Sequence, residues 1–264
     1  VKIGVCLKQV PATDTRIKIN TDNTNIVTDE VKWEVNPYDE FALEAALQLK
    51  EAGKASEVVI FTVGSADSEQ RIKDGLARGA DSAVRLDDAS FAGSDALGIA
   101  KVLAAAAKKA EVGLLLCGKQ AIDGDSSQVP AMLAELLDWA QVTDISNLEL
   151  EGDNVTAHRA SGAGNKTVIQ VKLPVVLSCD KGLNTPRFAS LRGIMMAKRK
   201  KIDVWGAEDL GVDGSTVGAG AALLVEKSLN LPPERPAGRM IEGGDVNAKV
   251  NELVRLLREE AKVL

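Results

Sequence analysis

Three continuous apolar runs, each separated from the next by stretches of helix length, constrain this chain more than any other feature. They are VKIGVCL (1–7), EVVIFTV (57–63) and VGLLLC (112–117). A strand apolar on both faces needs cover on both, and intervening helices supply it. The stretches between them read as helices. Asn36-Pro37 opens one, with Asn placed to cap and Pro at the first helical position; Phe41, Ala45, Leu47 and Leu49 continue it, and Gly53 ends it. Further helices are expected over 68–78, 95–110 and from about 126 to 137, with a short strand over 82–86. Strand–helix alternation implies a parallel sheet with right-handed crossovers. The expected fold is therefore α/β, a Rossmann-like parallel sheet of the adenine-nucleotide-binding type.

Other segments depart from that rhythm. RIKINTDNTNIVT (16–28) alternates around an Asp-Asn turn and reads as a β-hairpin. Residues 148–150, 155–159 and 167–173 alternate with period two, implying added antiparallel hairpins. From 204 to 238 Gly, Pro and Ser dominate, too little for a core of its own, which reads either as a disordered linker or as an arm that becomes ordered by lying on a partner subunit. An amphipathic helix over 246–262 follows, with Val250, Leu253, Val254, Leu257 and Ala261 on one face. We divide the chain into a nucleotide-binding domain at 1–205 and a C-terminal arm at 206–264.

Composition narrows the chemistry. A net charge of −6 argues against a nucleic-acid partner. Aromatic residues make up 3% of the chain, so the core must be built from Ala, Val, Leu and Ile, and few rings could stack on a flavin. Cys6, Cys117 and Cys179 are far apart and odd in number, which reads as buried reduced thiols and a cytoplasmic setting. No apolar stretch reaches membrane-spanning length, and no signal-peptide pattern opens the chain. The turn after the first strand lacks GxGxxG, and no GxxxxGK[ST] or CxxC occurs. The single histidine, His158, sits in a strand-like run and reads as structural. The pattern is that of a holder of something, with no metal site and no catalytic residues.

The richest segment is GKQAIDGDSSQV (118–129), between the most apolar strand and a helix. That is the carboxyl edge of the sheet, where open α/β folds bind ligands. Two readings stand side by side: amides and hydroxyls at Ser126 and Ser127 holding a nucleotide phosphate, or Asp125 and Ser126 capping the helix. Residues 36–39 open another helix at the same edge.

VCLKQV (5–10), TDEVKWEVNPYDEFALEAALQLKE (28–51), LARGAD (76–81), LLLCGKQAIDGDSSQV (114–129) and LPVVLSCDKGLNTPRFASLRGIMMAKRKKI (173–202) together resemble the electron transfer flavoprotein beta-subunit family, over positions 1 to about 213. The resemblance implies an electron carrier that pairs with a larger alpha subunit. FAD is held mainly by that partner, and a structural AMP lies in the beta chain. The AMP site would comprise Cys6, Asn36, Pro37, Tyr38, Asp39, Val63, Gly118, Lys119, Gln120, Ala121, Ile122, Asp123, Gly124, Asp125, Ser126, Ser127, Gln128 and Val129. A partner-recognition loop would fall on 185–198, with Leu191 as apolar anchor beside Arg192, Ile194 and Met195. Flavin dehydrogenases would be the donors and a membrane quinone reductase the acceptor. Some members hold a second FAD in place of AMP, and DGDSSQV partly resembles their loop. Pro130, however, directly follows Val129 where those members tend to have Gly-Pro, so AMP is the expected ligand. The turn after the first strand, Pro11-Ala12-Thr13, has no aromatic, which leaves Tyr38 as the ring nearest a flavin. A stand-alone nucleotide-binding regulatory module is the alternative from another class. An ATP-pyrophosphatase would need an SGGxDS-like loop, which is absent.

Overall fold

The computed structural model describes residues 1–234 and 237–264. The first apolar run forms β1 (Lys2–Cys6). A short ladder of β2 (Gln9–Pro11) and β3 (Trp33–Val35) leads into α1 (Pro37–Glu51). Then come β4 (Glu57–Val63), α2 (Glu69–Arg78), β5 (Ser82–Leu86), α3 (Ala96–Lys109), β6 (Leu114–Gly118) and α4 (Val129–Leu137). The rest comprises β7 (Ala140–Glu151), β8 (Asn154–Ala160), β9 (Lys166–Lys172), β10 (Val175–Cys179), α5 (Leu191–Ala197), β11 (Ile202–Trp205), α6 (Ala207–Leu210) and α7 (Val246–Glu259).

The main sheet runs β11-β5-β4-β1-β6-β10-β7-β8-β9. It is parallel from β11 to β7 and antiparallel across β7, β8 and β9, so the fold class is as expected. Its two faces carry separate cores. One is formed with α1 and α2 through Leu43, Leu47, Ile72 and Leu76; the other with α3 and α4 through Ala100, Ala106, Leu133 and Leu137. Because α3 presents alanines, its buried face is small and its backbone can lie close to the sheet, with Phe61 of β4 and Phe91 filling the same core. The face changes for a topological reason. The chain steps outward from β1 to β4 to β5, then crosses back through α3 to β6 on the other side of β1. The segments leaving β1 and β6 therefore diverge to opposite faces, opening a crevice between their carboxyl ends.

Three local expectations change. The helix expected from 126 begins at Val129, because Asp125 and Ser127 adopt left-handed φ angles of 49° and 53°, while Pro130 fits the first turn. The hairpin at 16–28 shrinks to a single bridge between Ile19 and Ile26. There Asn20 Oδ1 accepts from the amides of Thr24 and Asn25, replacing ladder bonds with a side-chain-closed turn. Strand β10, which period-two reading passes over after 173, is fully buried and inserts in parallel between β6 and β7.

The Gly-rich stretch is first pinned to the body. Val217 is buried, the amide of Gly218 donates to Ser94 Oγ at 2.8 Å, and that of Ala219 to the Ala92 carbonyl at 2.9 Å. Gly218 has φ +75°, and a Cβ there would lie 2.2 Å from the Ser90 carbonyl oxygen. Asp95 both caps α3 through the Gly98 amide and accepts from the Leu223 amide at 2.8 Å. Beyond this point Leu223, Leu224 and Val225 are exposed, Arg235 and Pro236 lie outside the described residues, and α7 buries no residue.

Close approach of α3 is testable. Ala106 is fully buried. Ala106→Leu should lower stability by about 1–3 kcal/mol through overpacking. Urea unfolding of the two chains reads this directly, and an unchanged midpoint would show that the helix floats free of the sheet.

Candidate functional site

At the crevice between β1 and β6 a buried carboxylate gathers three elements. Asp39, in the first turn of α1, is buried. Its Oδ2 accepts the Lys8 amide at 2.7 Å as the chain leaves β1, and its Oδ1 accepts the Gly118 amide at 3.1 Å at the end of β6. Asn36 Nδ2 also donates to Oδ1, at 2.9 Å. Gly118 is needed for this approach, since a Cβ would fall 2.3 Å from Asp39 Oδ1 and 2.8 Å from Tyr38 Cβ.

Asn36 is buried but does not cap α1 with its side chain, against expectation. Instead its amide group reads both edges of the loop after β6. Nδ2 donates to the Gln120 carbonyl at 2.9 Å, and Oδ1 accepts the Ile122 amide at 3.2 Å. Pro37 occupies the first helical turn as expected.

The loop is folded on itself. The amides of Gly124 and Asp125 both bond the Ala121 carbonyl, Gln120 Nε2 donates to Asp125 Oδ1 at 2.6 Å, and Ser127 Oγ donates to Gln120 Oε1 at 3.0 Å. Lys8 Nζ pairs with Asp123 at 2.7 Å, and Lys119 Nζ with Asp180 at 3.2 Å, tying the loop to both sides of the crevice. Residues 123–128 are exposed and run into α4, whose start has no side-chain cap at Gln128. Pro130 has no N–H and the Met132 amide donates to the Gln128 carbonyl at 3.1 Å, so the Val129 and Ala131 amides are those left open to an anion. Neither Asp125 nor Ser126 caps that helix, so the capping reading of this segment does not hold.

Cys6 and Val63 end the neighbouring parallel strands β1 and β4 at this same carboxyl edge, and Val129 begins α4. All the residues expected in the nucleotide site, from Cys6 to Val129, therefore share one end of the sheet. Sequence reading missed Lys8 and Asp180; their place within two residues of the ends of β1 and β10 is the signal for them. The three thiols are free and buried. Hydrogen bonding with Cys6 that favours the protonated form, together with burial, pushes the Cys117 thiol well above its ordinary value, and burial raises that of Cys179, so both stay protonated and unreactive. Among the described residues no cluster of His, Cys, Asp and Glu could hold a metal, and no helix is long and apolar enough to cross a membrane. His158 lies on β8, between Asn147 and Val168 of the adjoining strands.

A second cluster lies apart from the crevice. Ser190 caps α5 through the Gly193 amide at 3.0 Å. Leu191 is 83% exposed and Met195 65%, with Ile194, Met196 and Arg192 also exposed. Leu191 is therefore not a packing residue of a short helix. Phe188, which the sequence did not single out, is 95% exposed beside it.

Burial raises the Asp39 carboxyl from an ordinary 3.8 to about 7, against the pull of its three N–H donors. The folded state thus binds this proton more tightly than the unfolded chain. The stabilisation is present below about pH 4 and lost as pH rises to about 7, a change on the order of a few kcal/mol. In urea titrations across that range, the stability difference between the chain and Asp39→Asn should move against the native residue as pH rises. A flat or opposite trend would show that the donors keep the carboxylate ionised.

The sequence model of the electron transfer flavoprotein domain matches residues 24–210. The chain is 40% identical over 257 residues to the electron transfer flavoprotein subunit beta of Bos taurus, covering 96% of this chain and 97% of that one. It is 40% identical over 263 residues to the same subunit of Bradyrhizobium diazoefficiens, covering all of both. It is 38% identical over 260 residues to the caffeyl-CoA reductase-Etf complex subunit CarD of Acetobacterium woodii, covering 98% of each. With its parallel sheet and crevice at the strand-order reversal, the chain belongs to the electron transfer flavoprotein beta-subunit family.

Proposed function

We propose that this chain is the beta half of a heterodimeric electron carrier that takes electrons from soluble flavin dehydrogenases and passes them toward a membrane quinone reductase. The observation that carries the reading is the loop at 118–128, stitched to α1 by Asn36 and Asp39 and leading into an uncapped helix start. These groups fit an AMP. The amides opening α4, with Ser126 and Ser127, suit a phosphate, while the strand ends at Cys6 and Val63 offer apolar surface for a base. The carboxylates of Asp123 and Asp125 are already engaged, by Lys8 and Gln120, which lessens their repulsion of the phosphate. Electrons travel through an FAD held mainly by the alpha subunit, and this chain contributes a rigid wall and docking surfaces. The body at 1–205 binds nucleotide and donor; the arm at 206–264 lies on the alpha subunit, where its exposed aliphatic residues and α7 find cover.

A second reading places another FAD, in place of AMP, in the same crevice. Similarity to CarD, a subunit of a reductase–Etf complex, favours it. Denaturing the purified heterodimer and identifying the released nucleotides separates the two: one AMP and one FAD per pair are expected, whereas two FAD would establish the second reading. A colourless homodimer with exchangeable ATP would overturn both in favour of a regulatory module.

The arm supplies its own test. Truncation after Val225 keeps the part pinned through Asp95 and removes the remainder. The truncated chain should stay folded yet dissociate from the alpha subunit at least about tenfold more readily on dilution, as size-exclusion chromatography would show. Undiminished pairing would make the arm a linker.

A further inference from the structure

The exposed cluster at Phe188, Leu191 and Met195 stands on a segment with little structure of its own. Residues 180–190 form neither helix nor strand, and α5 is seven residues long. Holding large apolar side chains out in one arrangement has a conformational-entropy cost that few local bonds here offset. The bonds that do hold the segment converge on α1. Arg187 Nε donates to Glu44 Oε2 at 2.8 Å and Nη2 to Glu44 Oε1 at 3.0 Å, while the Arg187 amide adds a bond to Glu44 Oε2 at 3.2 Å. The same guanidinium reaches Glu51, one turn or more along the helix, through Nη1 and through Nη2 at 2.9 Å. Asn184 Nδ2 donates to the Phe41 carbonyl at 2.9 Å.

The Glu44 side chain is 5% exposed and also accepts from Gln48 Nε2 at 2.9 Å. Burial opposes its charge, yet the Arg187 bonds hold its carboxyl below the ordinary value. A forked guanidinium can engage each of two carboxylates through paired N–H groups on different nitrogens, which the single nitrogen of a lysine cannot. On the other side α5 is pressed onto α2: a Cβ on Gly193 would lie 2.1 Å from the Ala77 carbonyl oxygen. The segment is thus fixed at two points, by Arg187 directly before Phe188 and by Gly193 between Leu191 and Met195.

We propose that Arg187 is a positioning residue for electron transfer: its fork onto Glu44 and Glu51 of α1 holds the loop so that Phe188 and Leu191 meet the electron donor together. This rests on the reading of Leu191 as the donor anchor. Arg187 itself faces α1, so it acts through the loop it orders. A loop fixed before encounter loses less freedom on binding, and its removal weakens docking with no effect on electron flow once docked. Phe188 becomes a second anchor beside Leu191.

The test uses the assembled heterodimer with a soluble flavin dehydrogenase that reduces it, together with hydrogen exchange. Arg187→Ala should raise KM for the heterodimer about tenfold with kcat within about twofold, and FAD and nucleotide content unchanged. Amide exchange over 188–198 should quicken by a similar factor. Because Arg187→Ala strands a buried carboxylate, the pair Arg187→Ala with Glu44→Gln is measured beside it and should behave alike. Arg187→Lys should fall between. On a Leu191→Ala background the Arg187→Ala effect on KM should largely vanish, since both changes disable one docking unit. Full additivity, unchanged exchange, or loss of flavin in both Arg187 variants would overturn the proposal. If Leu191→Ala raises KM and Arg187→Ala does not, the positioning role alone fails. If neither changes KM, the loop is not the donor site and both readings fall.

Discussion

Where two parallel strands send their chains to opposite faces of a sheet, amides at the strand ends lose their partners, and a crevice opens between them. In this protein the Asp39 carboxylate accepts both, from Lys8 and from Gly118. It is also the point from which Asn36 reaches the loop after β6. The first turn of α1, the exit of β1 and the exit of β6 therefore share one acceptor. Gly118 makes the arrangement possible by having no side chain to displace Asp39. A larger residue there would force the helix away and open the crevice. The geometry of the candidate nucleotide site depends on this contact more than on any residue of the exposed loop.

Helix α1 carries a second duty. Its first turn shapes the crevice, and Glu44 and Glu51 farther along hold Arg187 and the loop that displays Phe188 and Leu191. Eight of its residues are buried against the body, so it can bear both without yielding. One rigid helix thereby sets the position of two surfaces built from segments more than sixty residues apart in the chain, Gly118 and Arg187. The cationic run at Lys198, Arg199, Lys200 and Lys201 follows the second surface directly, with Lys200 turned back onto the Ala80 carbonyl and Lys201 paired with Asp203.

The C-terminal segment shows how a Gly-rich stretch can be ordered in part. Its glycines admit close backbone approach at Ser90, and Asp95 uses one carboxylate for two purposes, capping α3 and receiving the Leu223 amide. The chain then turns Leu223, Leu224 and Val225 outward before the Leu229 amide returns to the Asn23 carbonyl at 2.8 Å. A pinned origin limits the directions in which the remainder can travel, which favours capture of a partner over free wandering.

The apolar runs at 1–7, 57–63 and 112–117 determined by themselves that the fold would be a covered parallel sheet, because nothing else can bury such strands on both faces. The helix end at Gly53 was likewise legible, since left-handed φ at this position favours glycine. The segment at 118–129 announced itself through its place between strand and helix. What the chain alone could not reveal was partnership at a distance. The insertion of β10 between β6 and β7, the role of Asn36 as a reader of the loop, and the fork of Arg187 on α1 join residues separated by tens of positions. The helix start at Val129 was hidden too, because whether Ser126 begins a helix depends on the backbone angles imposed by the folded loop. Local pattern records which face of an element is buried; only the assembled sheet decides which strand lies beside it, and therefore which side chains meet.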